Sequence, residues 1–109
     1  MSNRTLYTPD SAAEDVNNVF ALLRGRWKLV ILFHLFDGKI QRFSDLERRV
    51  KGISQKMLAQ QLRSLESDGL VIRTLHDFKP PQVDYRLTPW GQRLCPVLDS
   101  MLGWSESRE

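Results

Sequence analysis

Cysteine is nearly missing from this sequence: Cys95 is the single thiol among 109 residues. One thiol cannot close an intramolecular disulfide, so no covalent staple is expected and a reducing, cytoplasmic setting is. Long apolar runs are missing too. The longest, Trp27 to Phe36, falls well short of the roughly 20 residues a membrane-crossing helix requires. The segment Met1 to Asp10 has no apolar region of the secretory-signal kind. The histidines, His34 and His76, lie far from each other and from Cys95, which leaves no zinc-ligand spacing; neither metal nor cofactor is expected. No Gly-rich phosphate loop and no Ser/His/Asp motif is visible. Asp84 and Asp99 read as isolated carboxylates without an acid–base partner. Catalysis is therefore not expected.

What is present is enough for one domain. Hydrophobic residues make up 41% of the chain, so a core can form. A chain this short covers its surface poorly, and long terminal helices are expected to seek a partner subunit. The formal charge is +3 and the isoelectric point about 9.4. The placement of charge is more telling than its total. From Arg42 to Arg63, Arg42, Arg48, Arg49, Lys51, Lys56 and Arg63 stand against Asp45 and Glu47 alone, and the other acids lie outside that stretch. A concentrated positive field of this kind suits a nucleic-acid partner.

Apolar periodicity supplies the elements. Residues 1–11 are polar, contain Pro9 and read as a loose arm; residues 105–109 read as a tail. Between them, 12–104 forms the domain. Val16, Val19, Phe20 and Leu23 recur at helical spacing from Ala12 to about Gly25. Trp27 to Phe36, apolar almost all round, reads as a buried central helix, with a buried strand as the competing reading. Ile40 to Arg42 fits a very short strand. Ser44 then opens a short helix, Glu47 completing a capping box, and Lys51-Gly52 closes it. Ser54 caps the next helix, whose stripe of Leu58, Leu62 and Leu65 ends at Gly69. Two β-rich segments, Leu70 to Leu75 and Val83 to Leu87, flank a loop over 76–82 that contains Pro80-Pro81. Thr88-Pro89 starts a last helix with Leu94, Val97, Leu98, Met101 and Leu102 in phase across Pro96. Pro96 should bend that helix at a cost of about 3 kcal/mol relative to alanine.

A short helix, a glycine-containing turn and a longer amphipathic helix make a helix-turn-helix, and a hairpin directly after it makes a wing. The expected fold is mostly α with a small β-hairpin (α+β), a winged helix-turn-helix. On the wheel of the helix from Ser54, the face opposite its leucines carries Lys56, Gln60 and Arg63, flanked by small Ala59; Gln55 lies in the first turn. Glutamine pairs with adenine, and arginine or lysine with guanine, in the major groove. Gln55, Lys56, Ala59, Gln60 and Arg63 are thus the expected base-reading residues. Arg42, Ser44, Arg48, Arg49, Lys51 and Ser54, with His76 and Lys79 on the wing, are the expected backbone contacts. The competing use of such a fold is docking another protein.

Gly25-Arg26-Trp27-Lys28-Leu29-Val30-Ile31-Leu32, Arg42-Phe43-Ser44-Asp45-Leu46 and Gly52-Ile53-Ser54-Gln55-Lys56-Met57-Leu58-Ala59-Gln60-Gln61-Leu62-Arg63 run in order into Asp68-Gly69-Leu70-Val71, Pro80-Pro81 and Trp104. Over roughly residues 13–104 this ordered set resembles the HxlR-type regulators, a winged-helix family related to the MarR-type. The resemblance implies a dimeric bacterial or archaeal transcription factor whose recognition helix begins at Ser54. It also implies a dimer interface built from the first and last helices, here Val16, Val19, Phe20 and Leu23 with Leu94, Val97, Leu98, Met101, Leu102 and Trp104. Many members carry a cysteine at the start of the first helix, where this chain reads Ser11-Ala12-Ala13-Glu14-Asp15. Thiol sensing by that route is not expected, and Cys95 is expected to pack. A common wing arginine is replaced by Gln82. Trp27, Phe33, Phe36, Trp90 and Trp104 are expected to fill the core and interface; a pocket among them for a small aromatic effector is the alternative.

Overall fold

The computed structural model describes residues 6–108. Eight elements follow one another: α1 (Pro9–Leu22), α2 (Lys28–His34), β1 (Gln41–Arg42), α3 (Phe43–Arg49), α4 (Gln55–Ser67), β2 (Val71–His76), β3 (Gln82–Leu87) and α5 (Pro89–Glu106). The order is that of a winged helix-turn-helix.

α1 starts inside the segment expected to be loose, and residues 1–5 of that segment lie outside the described residues. Its start is fixed locally. Pro9 stands at the first helical position, Ser11 N–H donates to the Thr8 hydroxyl at 3.1 Å, and Thr8 N–H donates back to Ser11 Oγ at 2.9 Å. The run from Trp27 folds as helix rather than strand, with Ile31, Leu32 and Leu35 fully buried. The turn after it uses left-handed backbone at Asp37 (φ 62°) and Gly38 (φ 73°).

The capping box expected from Ser44 and Glu47 is corrected by the structure. α3 begins at Phe43, two residues earlier than a Ser44 cap implies, so its third position is Asp45, whose carboxylate accepts the Arg42 N–H at 3.0 Å. α4 matches its expected limits. Ser54 Oγ accepts the Met57 N–H at 3.0 Å. At the other end Gly69 takes φ 78°; its N–H reaches Glu66 O and the Leu70 N–H reaches Leu65 O, each at 3.0 Å. This paired closure needs a left-handed residue, which glycine adopts without strain.

The sheet has the order β1-β3-β2, antiparallel throughout. β2 and β3 pair from Val71↔Leu87 to His76↔Gln82, so both strands are a residue longer toward the tip than expected and the connection is 77–81. α3, α4, α2 and the sheet enclose a core of Leu46, Leu58, Leu62, Leu65, Val71, Tyr85 and Leu87 around Ile31, Leu32 and Leu35. α5 stays one helix through Pro96, capped by the Thr88 hydroxyl, which accepts the Gly91 N–H at 2.9 Å. It ends at Glu106, inside the expected tail.

α1 buries none of its residues. The chain is correspondingly long, 54 × 32 × 23 Å, with a radius of gyration of 16.1 Å. A compact globule of this length would have about 13 Å. α1 and the distal half of α5 are the parts that the chain's own core leaves uncovered.

Candidate nucleic-acid interface

Burying Leu58, Leu62 and Leu65 fixes the rotation of α4, and the wheel then decides what faces out. Gln55, Lys56, Gln60 and Arg63 are exposed and Ala59 is half-buried beside them. The base-reading set expected from the sequence therefore shares one open surface. The small Ala59 leaves the helix backbone approachable there.

The cationic surround is also exposed: Arg42, Arg48, Arg49, Lys51 and Lys79, together with the hydroxyls of Ser44 and Ser54. Arg48 is tied to Asp45 by an ion pair but keeps 70% of its side chain exposed. The Asp45 carboxyl is held below its ordinary value, first by the Arg42 backbone N–H and then by Arg48, against an opposing push from partial burial. That carboxylate anchors the start of α3 and the neighbouring arginine together.

Between the wing and the helix-turn-helix runs a groove of about 630 Å³. Phe78, Lys79 and the prolines Pro80 and Pro81 form its wing side; Arg42, Ser44, Glu47 and Gln55 lie on the other. Residues chosen separately for base and backbone contact thus meet at one cleft.

The wing holds features the sequence reading missed. Asp84 is not isolated. Its Oδ2 lies 2.8 Å from His76 Nε2, and its Oδ1 accepts from Gln82 Nε2 at 3.1 Å. His76, expected at a phosphate, is turned to this carboxylate and stacked on Phe78, ring centroids 5.0 Å apart and planes 8° from parallel. The signal lies in the register: His76 pairs with Gln82 and Thr74 with Asp84, which sets all four on one face of the hairpin. Ending the strands before His76 and after Gln82 hid it.

The expected interface residues divide. Val16, Val19, Phe20, Val97, Met101, Leu102 and Trp104 are exposed, whereas Leu23 and Leu94 are half-buried against the core and Leu98 is buried within the chain. The five aromatics expected to fill the core and interface, with an effector pocket as the alternative, also part company. Trp27 reaches toward Gly52 and carries the Arg26 guanidinium on its ring at 4.4 Å. Phe33 and Phe36 pack on each other at 4.7 Å. Trp90 lines a cleft between α1 and α5, and Trp104 is 80% exposed. Cys95 is half-buried against the core. Among the described residues no group of three or more His, Cys, Asp or Glu side chains could hold a metal ion, and no helix is long and apolar enough to cross a membrane.

This geometry coincides with known proteins. The HTH-type transcriptional regulator YybR of Bacillus subtilis is 37% identical over 107 residues, covering 98% of this chain and 85% of that protein. YtcD of the same organism is 44% identical, over 82% of this chain and 70% of that one. Among solved structures, a MarR-family transcriptional regulator of Enterococcus faecalis V583 superposes with a TM-score of 0.85 at 36% identity, covering 97% of this chain and 93% of that chain. The redox regulator HypR in its oxidized form gives 0.76 at 38%, covering 87% and 97%. The family model described as HxlR-like helix-turn-helix matches residues 22–108. Exposed recognition helix, flanking cations, wing and relatives agree: the chain is a DNA-binding transcriptional regulator and belongs to the HxlR-like helix-turn-helix family.

Proposed function

We propose that the chain works as a homodimer on an inverted-repeat operator, each copy laying α4 in a major groove and its wing on the flank. Gln55, Lys56, Ala59, Gln60 and Arg63 read base edges, and Arg42, Ser44, Arg48, Arg49, Lys51, Ser54 and Lys79 hold the phosphate backbone.

The observation that carries the dimer is the uncovered apolar face. Val16, Val19 and Phe20 on α1, and Val97, Met101, Leu102 and Trp104 on α5, are 42–80% exposed. A contiguous patch of this kind on an elongated chain marks an interaction surface. A second copy is self-complementary to it through a twofold axis, and twofold symmetry is what an inverted repeat requires of its reader. Leu23, Leu94 and Leu98 back this surface from within.

Sedimentation equilibrium tests the assembly. The wild-type protein should run at twice the 12.7 kDa chain mass. Phe20→Asp places a charge in the middle of the patch and should run as a monomer. A monomeric wild type at micromolar concentration would contradict the proposal.

A further inference from the structure

We propose that Phe78 is a specificity-determining residue for DNA, an aromatic wedge that reads deformability at the minor groove flanking each half-site. This rests on the DNA-binding reading above and adds to it a contact that is apolar rather than cationic.

Phe78 is 55% exposed at the wing, yet its ring is not free to wander. It lies flat on His76 at 5.0 Å, and His76 is held by Asp84, which Gln82 also engages. A large apolar side chain exposed to water but fixed in orientation has already lost the freedom that binding would otherwise remove. It lines the groove whose cations, Arg42 and Lys79, outnumber the one acid there, Glu47. A phosphate backbone seated between those cations would bring a base step against the ring.

Apolar side chains at a minor groove act by partly unstacking a base step, which costs least at pyrimidine–purine steps. The ring therefore confers a preference at positions no polar group touches. Gln82 donates to the Asp84 carboxylate at 3.1 Å and so helps orient the group that holds His76 behind the ring.

Parallel selection from a random duplex library tests this with wild type, Phe78→Ala, Phe78→Trp and Lys79→Ala. Wild type should enrich a half-site plus a flexible flanking step. Phe78→Ala should keep the half-site, lose the flank preference and bind the wild-type sequence about tenfold more weakly. Phe78→Trp should retain both, and Lys79→Ala should weaken all sequences without changing the flank. Because Phe78 is more than half exposed and outside the core, losing its stack on His76 should lower the melting temperature of Phe78→Ala by only a few degrees. A flank preference and affinity unchanged in Phe78→Ala would overturn the proposal while leaving DNA binding intact. No enrichment by any of the four would remove the DNA reading and the wedge with it.

Discussion

Gly91 sits where the first turn of α5 meets the Leu70 carbonyl just ahead of β2 and Leu87 of β3, and replacing it tests whether α5 is joined to the hairpin base as tightly as the structure has it. A Cβ on Gly91 would fall 2.4 Å from the Leu70 carbonyl oxygen and 3.3 Å from Leu87 Cβ. That oxygen is already occupied, accepting the Thr88 N–H at 3.0 Å, while the Thr88 hydroxyl donates to Gly69 O at 2.6 Å. Alanine must therefore push α5 away from backbone, which cannot swing aside as a flexible side chain could. Overpacking of this kind costs about 1–3 kcal/mol. Loosening the Thr88 bond adds about 1 kcal/mol, and alanine's better helix propensity recovers about as much. The net expectation for Gly91→Ala is a loss of about 1–3 kcal/mol. In a domain this size that is a fall in melting temperature on the order of 10 °C. Gly103, in the same helix, would place its Cβ in open space. Gly103→Ala should therefore stabilise, by up to about 1 kcal/mol. Thermal denaturation at a fixed protein concentration, followed by circular dichroism, measures both. A Gly91→Ala protein that melts with the wild type would refute the close approach.

Two further outcomes follow from the site. Because Asp45 is held below its ordinary value in the folded chain, its contribution is complete above the unfolded carboxylate value of about 3.9 and disappears as pH falls through the folded one. Asp45→Asn should thus melt below wild type at neutral pH, with the two curves converging in strong acid; a constant gap would show that the charge is not what matters. Lys79→Ala should lower the slope of log affinity against log salt by about two, one phosphate contact being lost from each copy of the dimer. An unchanged slope would take Lys79 off the backbone.

α4, the helix proposed to read DNA, was legible because each of its signals is local. Ser54, three leucines at helical spacing and Gly69 lie within one segment and specify its start, inner face and end. The start of α3 lies two residues before the one a Ser44 cap implies. Ser44 and Glu47 have the spacing of a cap, but the chain leaves β1 already extended at Arg42, which hands the role to Asp45. The His76–Asp84–Gln82 cluster needs the hairpin register, and Pro80-Pro81 suggested a longer loop than the strands allow. Nothing in the sequence around Gly91 announces the Leu70 carbonyl, since that approach exists only once α5 has folded back. The exposed faces of α1 and α5 were visible as stripes, but a stripe that covers its own core and one that awaits a partner read alike. Leu98 is buried within the chain and Phe20 is half exposed, a difference the periodicity does not carry.

The most direct test of the account is an equilibrium titration of one DNA fragment, recovered from the genome by the protein itself, with wild type and with Lys56, Gln60 and Arg63 all changed to alanine. Wild type should bind as two chains per inverted repeat, while the triple variant, equally folded, should fall to the affinity it shows for unrelated DNA. Equal affinity of the two proteins for that fragment would contradict the claim that the open face of α4 reads the operator.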